Sequence, residues 1–544
     1  MKRFIYSMAI AASALTMTSC LGDLDTLPLN STDKTASESY STKEGLEQGL
    51  AYIYGSYSLV SQNDPGTSDI SVSDAGQSEL VRQYVILNEM SADAFKCTWG
   101  DSYISETQYG SWTSASNSAT VAVYSRGMVT ITRVNEYLAQ TKESSIDGVK
   151  QLRAEARFLR AYAYWMLMDL YGNPPFATEE NIGGDFPTQI GRTELFNWIE
   201  GELKDIMSGE EQLPDKGTYP RVGKGAAQAL LARMYLNAEV YTGKARWQEA
   251  KDAAAAVINS GSYKLCPVYE QLFLQDNSEN ANANGELIFA ISYDSDKTQS
   301  WGGTTHLVSG ALDDANSSAI AEYLNKPAGS MITRERWNGY HVPNEYVEYF
   351  ELKGVEWNGT GIGYDMAASD KRAFFSNVGC TKEFAIDDVK TGWKCWKWSS
   401  RKSDGTLTSS EDYSKFSSAD FPMIRLGEIY LIYAEAQARL SGGQTNDATA
   451  LGYVNALRQR AGVSEQSYVD LDFLLKERAR ELMWEGHRRV DLIRYGYFTS
   501  AQFPWPYKGG VPNGKVSLPS YRTIYPLLQS DVTANPNLTQ NPGY

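Results

Sequence analysis

The side chains that most often carry out chemistry are sparse in this chain. Histidine occurs three times, at His306, His341 and His487. These lie too far apart in sequence to show the short ligand spacings of a metal site or a local acid/base pair. The five cysteines, at 20, 97, 266, 380 and 395, form no C-x-x-C pair, which removes zinc-finger and thioredoxin-type chemistry by motif. Whether Cys97 joins Cys266, or Cys380 joins Cys395, in an oxidising exterior is open at this level. Neither an HExxH helix nor a GxSxG elbow is present. With 66 acidic residues a glycosidase carboxylate pair is allowed by number, yet no spacing locates one.

Two stretches imitate ligand loops. Gly217 to Gly225 opens a helix in the manner of a phosphate loop, but five residues separate Gly217 and Gly223, and Gly225 stands where a magnesium-binding Ser or Thr belongs. Asn280, Asn282, Asn284 and Gly285 have the spacing of half an EF-hand loop, but the bidentate acid is replaced by Ile291. Both are read as turns. No cofactor is expected, and calcium in another geometry is allowed without being located.

What the chain holds in surplus is aromatic rings with a polar edge: 35 Tyr against 17 Phe, with 13 Trp besides. A sugar ring has an apolar face of C–H bonds and a rim of hydroxyls, so flat rings beside amides or carboxylates suit it. In the Ser/Thr/Asn/Gly-rich stretches 61–118 and 262–420 stand Trp99, Tyr103 and Trp112, then Trp301, Trp337, Tyr340, Trp357, Trp393, Trp396 and Trp398. The run Cys97 to Tyr103 supplies ring, carboxylate and hydroxyl within seven residues. The expected ligand-binding set is Trp99, Asp101, Tyr103, Trp112, Trp301, Trp337 and Tyr340, with no catalytic residue and no metal ligand. WKCWKW (393–398) reads as a strand with its three tryptophans on one buried face. The excess of 66 acidic over 50 basic residues, net −16, lacks the basic face that phosphate neutralisation needs, so nucleic acid is not an expected partner.

The elements that must position these rings are mostly helices. Val149 to Tyr171 places Leu152, Ala156, Leu159, Ala163, Met166 and Leu170 on one stripe, and Gly172-Asn-Pro-Pro175 ends it. Helices are likewise predicted over 192–207, 223–241, 245–258, 422–440, 448–460 and 472–484, and a short strand over 286–292. Consecutive helices with short Gly/Pro breaks and Ala at close-packing positions have the texture of stacked helix pairs of the tetratricopeptide type. The irregular segments would be the working surface on that frame.

The start of the chain reads as an export signal: Lys2 and Arg3, an apolar run from Phe4 to Met17, then small residues up to Cys20. Met17-Thr18-Ser19-Cys20 resembles a bacterial lipobox with Met in place of the usual Leu, which makes residues 1–19 a signal peptide and Cys20 the lipidated first residue. Asp23 and Asp25 directly behind it resemble a Bacteroidetes surface-export signal. The expected address is the outer membrane, lipid-anchored and facing the exterior, with a periplasm-facing orientation as the alternative.

Four blocks carry a wider resemblance: EARFLRAYAYWMLMDLYGNPPF (155–176), RLGEIYLIYAEAQAR (425–439), ERARELMWEGHRRVDLIRYG (477–496) and ANPNLTQNPGY (534–544). With the opening at Cys20 and KGAAQALLARMYL (224–236), they resemble the SusD/RagB family of Bacteroidetes nutrient-binding lipoproteins along the whole mature chain. The resemblance implies a mainly α fold, a superhelix of four tetratricopeptide-like helix pairs with long irregular loops and a few short strands. It divides the chain into 20–260 with helix pairs, 261–420 as the ligand-face region and 421–544 as the C-terminal helices and tail, all one integrated unit. It further implies capture of a glycan and delivery to a SusC-type TonB-dependent transporter. Peptide capture of the RagB kind is the alternative cargo; a surface glycosidase or a purely structural subunit is the alternative from another class. The block Glu477, Arg478, Arg480, Glu481, Glu485, His487, Arg488, Arg489, Asp491 and Arg494 is read as a structural charge network pairing at i, i+3 and i, i+4 on two adjoining helices.

Overall fold

A computed structural model describes residues 35–544 apart from 63, 115–116, 184–185, 327–330, 332–334, 358–360, 384, 408–414 and 512–515. The expected signal peptide, Cys20 and the acidic residues behind it lie outside the described residues. In chain order the frame helices are α1 (Lys43–Gly55), α2 (Ser118–Gln140), α3 (Val149–Tyr171), α4 (Arg192–Ser208), α5 (Lys224–Leu236), α6 (Trp247–Asn259), α7 (Leu426–Leu440), α8 (Ala448–Ala461) and α9 (Leu471–Glu481). Each of α2 to α7 packs on the next, and α7 carries both α8 and α9.

The α2/α3 hairpin shows how the stack is built. Gly127 faces Leu167 and the Arg153 guanidinium reaches the Leu138 carbonyl, so the two helices run antiparallel. A Cβ at 127 would stand 3.1 Å from Leu167, and glycine there lets the axes approach. Asn117 caps α2 by accepting from the amides of Ala119 and Thr120. Buried residues run along α3 from Val149 to Tyr171, because it packs against α1, α2 and α4 together. It stops at Gly172, whose φ of +74° a side chain would resist.

The short strands are β1 (Lys96–Cys97), β2 (Leu287–Ile291), β3 (Tyr340–His341), β4 (Phe375–Ser376), β5 (Lys394–Cys395) and β6 (Phe421–Arg425). They pair antiparallel as β1 with β3, β2 with β6 and β4 with β5. The helix expected over 422–440 therefore starts only at Leu426. Its first residues pair with β2 and are wholly buried, and pairing with an apolar strand outweighs the helical pattern. The helix expected over 223–241 breaks at Asn237, and the one over 472–484 ends at Glu481, ahead of Trp484 at φ +58°.

Two further expectations change. The stretch 61–118 is not a loop layer: it contains helices Leu80–Val85 and Ser102–Tyr109, and residues 78–97 are buried. The tryptophans of 393–398 do not share a face. Trp393 packs with Trp357 and Phe375, Trp396 with Phe374, and Trp398 with Phe273 and Phe421. The three-residue step from 393 to 396 puts Trp393 on the opposite side of a period-two chain.

The charged block is structural, but its partners are mostly distant in sequence. Arg425 on β6 bonds Glu286, Glu481 and Glu485, Arg372 bonds Asp370, Glu477 and Glu481, and Arg460 joins Glu286 to Glu481. Glu477 with Arg480, and Asp491 with Arg494, pair at the expected i, i+3 spacing. Burial alone would raise the Glu477 carboxyl; Arg372, Arg480 and Arg458 instead hold it at about 2.

Candidate functional site

A cleft of about 680 Å³ gathers Trp99, Trp301 and Trp337 with Asp74, Gln77, Arg82 and Asp101. Each wall has an identifiable support. Trp99 follows β1, whose register with β3 sets Lys96 opposite His341 and Cys97 opposite Tyr340. The Thr98 amide extends the pairing by donating to Gly339 O at 3.0 Å. The indole N–H of Trp99 donates to Trp337 O at 3.1 Å. Gly339 is required here, since a Cβ would stand 2.3 Å from the Trp99 ring. Trp337 is tied down from behind: its amide donates to Ser309 O, and that of Gly339 to Gly310 O, both at 2.8 Å, on helix Gly303–Ala311.

Trp301 is held through the residues that follow it. Glu79, buried and capping helix Leu80–Val85, accepts from the amides of Arg82 and Gly303 at 2.7 Å and from the Tyr293 hydroxyl at 2.6 Å. Burial raises its carboxyl pKa, against the pull of these donors. Gly302 packs so tightly on Glu79 that a Cβ would lie 2.3 Å from it. Arg82 fills the floor: its guanidinium donates to the Tyr103 hydroxyl at 3.4 Å and sits 5.9 Å from the Trp337 ring centre. A Cβ on Gly76 would come within 2.8 Å of that guanidinium and of Trp301.

The three indoles are not coplanar. Trp99 and Trp337 have centroids 6.1 Å apart at 77°, and Trp337 and Trp301 6.2 Å apart at 48°. All three are partly exposed. They form a faceted, bent wall with carboxylates, an amide and a guanidinium at its edge. That arrangement offers C–H stacking and directed hydrogen bonds to a hydroxyl-rich, curved molecule.

Of the seven expected residues, the fold brings Trp99, Asp101, Trp301 and Trp337 into the cleft. Tyr103 and Tyr340 are buried beneath it, Tyr103 bonding Arg82 and Tyr340 lying 5.1 Å under the Trp99 ring. Neither offers a ring face to solvent, so both correct the expectation of direct contact. Trp112 is a second correction: it is 0 % exposed, packs on Tyr525 and donates to the Tyr544 hydroxyl at 2.7 Å. It fastens the C-terminal tail instead of lining a ligand face. Asp74, Gln77 and Arg82 were not anticipated; no aromatic or motif flags them, and only the folded chain sets them opposite Trp301. Cys97, Cys266, Cys380 and Cys395 are free thiols. Among the described residues no His/Cys/Asp/Glu group is arranged to hold a metal. Asn280 caps the short helix Ala281–Asn284, and Lys224 Nζ pairs with Asp215. Another pocket, about 330 Å³ between α1 and β2, exposes mainly apolar surface from Leu50, Tyr57, Phe289 and Ile291, with Glu47, Ser58 and Arg221 also in its lining, so it offers a polyhydroxyl ligand less polar surface than the cleft does.

A stacked-helix frame carrying an aromatic cleft on its irregular side defines a helical binding protein, and the comparisons place it. Residues 353–544 match the family model described as "SusD family" and residues 67–236 the one described as "Starch-binding associating with outer membrane". The chain is 33% identical to the starch-binding protein SusD of Bacteroides thetaiotaomicron over 100% of its own length and 99% of that protein's. It belongs to the SusD family. Among solved structures, a SusD homologue from B. thetaiotaomicron superposes with a TM-score of 0.70 at 20% identity, covering 95% of this chain and 100% of that one. Surface glycan-binding protein A of the same species, in complex with laminarihexaose, superposes with a TM-score of 0.67 at 19% identity over 92% and 100%. The tetratricopeptide-like helical stack expected from the periodicity is the observed fold.

Proposed function

We propose that this protein is a non-enzymatic, glycan-capturing lipoprotein of the outer membrane, anchored through Cys20, facing the cell exterior and handing its ligand to a SusC-type TonB-dependent transporter. The observation that carries the binding role is the bent wall of Trp99, Trp337 and Trp301 with hydrogen-bonding groups around it. A bent wall fits a glucan whose chain curves, such as an α-1,4-linked one, better than a flat ribbon. The full-length similarity to a starch-binding protein supports the same reading. The lipobox and the family description that names the outer membrane support the address, and no described helix is long and apolar enough to cross a membrane.

Isothermal titration against curved α-glucans, linear β-1,4-glucans and peptides tests the cargo; binding of peptides alone sinks the glycan reading. Reducing-end release by the purified protein would establish an enzyme instead. Palmitate labelling that survives Cys20→Ser removes the proposed anchor, and protection from protease on intact cells removes the exterior orientation. Failure to co-purify a TonB-dependent transporter from the native membrane removes the delivery role.

A further inference from the structure

His306 is 0 % exposed and touches no solvent in the cleft, yet it meets all the rings that shape one end of it. Its imidazole lies 5.6 Å from Trp99 at 70°, 5.8 Å from Trp337 at 53° and 5.1 Å from Tyr340 at 73°. Its Nε2 shares a 2.6 Å hydrogen bond with the Tyr340 hydroxyl. Burial first, and then the Arg82 charge, hold the imidazole neutral far below its ordinary range, so one ring nitrogen remains an acceptor for the phenol proton. Tyr340 is itself immobile: Phe95 packs on its ring at 4.6 Å, Trp484 at 6.0 Å, and a Cβ on Gly310 would intrude to 2.9 Å. A continuous path of contacts thus runs from the core through Tyr340 and His306 to both indoles.

We infer that His306, locked by Tyr340, is a positioning residue that sets the angle between Trp99 and Trp337 and thereby makes the cleft selective for curved over flat glycans. This rests on the glycan reading above for its ligand, but the indole angle is measurable without one. A side chain packed against both of two touching rings in a tight interior holds their relative orientation, because voids and off-rotamer states both cost energy. A pre-set angle favours the ligand whose curvature matches it by lowering the ordering cost of binding.

The test uses full-length mature protein with three substitutions, Tyr340→Phe, His306→Phe and His306→Gln. Affinities are measured for a cyclic α-1,4-glucan of six or seven glucose units and for linear β-1,4-glucohexaose, together with near-UV circular dichroism of the free protein and its melting temperature. Expected are native-like melting, an altered tryptophan band, and a curved-to-flat affinity ratio at least fivefold lower in Tyr340→Phe and His306→Phe. His306→Gln, which keeps a hydrogen-bonding group, should recover part of the ratio. An unchanged ratio in folded Tyr340→Phe and His306→Phe overturns the inference. Should wild type bind neither glucan, the glycan reading fails, and an unchanged tryptophan band in both variants then overturns the positioning role on its own. Should His306→Phe not fold, Tyr340→Phe, the smaller change, decides by the same ratio and band.

Discussion

Trp99 has its indole N–H satisfied by Trp337 O, one face over Tyr340 and its edge against Gly339, so it presents its ring to the cleft at little ordering cost on binding. Trp99→Ala and Trp337→Ala should each weaken glycan binding by about tenfold or more, as expected for losing ~1.4 kcal/mol of stacking and apolar contact. Titration calorimetry checks this, and affinities equal to wild type in both variants would remove the cleft from consideration. Gly339→Ala should reproduce the loss without touching a contact residue, since its new methyl displaces the Trp99 ring. Trp112 gives the opposite prediction. Trp112→Ala should leave affinity unchanged while costing about 3–5 kcal/mol of stability, because a fully buried ring is replaced by a cavity; equilibrium denaturation measures the second half.

At the scale of elements, the fold depends on ion pairs that join distant segments. Glu481 at the end of α9 receives Arg372, Arg425 and Arg460, and the Arg425 side chain links β6 to the region after α9. Removing one member leaves buried charge uncompensated, so Glu481→Gln is expected to destabilise by about 3–5 kcal/mol. A melting temperature within a degree of wild type would show that the network adds nothing to stability. The helices themselves were legible because an apolar stripe repeats every three or four residues, whatever it packs against: α3 spans Val149–Tyr171 as its periodicity predicts. Element ends were less legible wherever a distant strand competed, as β2 does for residues 421–425.

Across the whole molecule the titrating groups oppose one another. His306, His341 and His487 are held neutral well below their usual range, by burial in the first place. The unfolded chain takes up three protons on them below pH ~6.5, which lowers stability as pH falls. Burial raises the carboxyls of Glu79, Glu89 and Asp420, Glu89 to about 7 and Asp420 to about 6. The folded state therefore holds protons there that the unfolded chain lacks above pH ~4.5, with the opposite slope. Between about pH 5 and 6 the two sets act in opposite directions, so the carboxyls offset part of the loss that the histidines cause. Below ~4.5 this offset ends, since the unfolded chain also protonates those carboxyls. In the same range it protonates Glu435 and Glu477, which the fold holds at about 2 against the effect of burial through Arg494 and Arg372 respectively. Stability measured by denaturant should fall gently from pH 6.5 to 5 and steeply below 4.5. A decline as steep between pH 6.5 and 5 as below 4.5 would contradict this opposition.

The amino-acid order alone determined the helical frame, the family blocks and the aromatic character of the site, because helix periodicity and local ring-rich runs are short-range properties. Trp99 and Asp101 were legible as a pair for the same reason. What the tertiary structure decided was which rings are available: Trp112 and Tyr340 have the same composition-level credentials as Trp337, yet each is sealed by residues far away in sequence. It also brought Asp74 and Arg82 to Trp301 across more than two hundred residues, a juxtaposition no spacing encodes. The bend of the indole wall belongs to the same class, since it follows from how β1, β3 and helix Gly303–Ala311 pack around His306. Exposure and angle are properties of long-range packing, and a linear pattern carries neither.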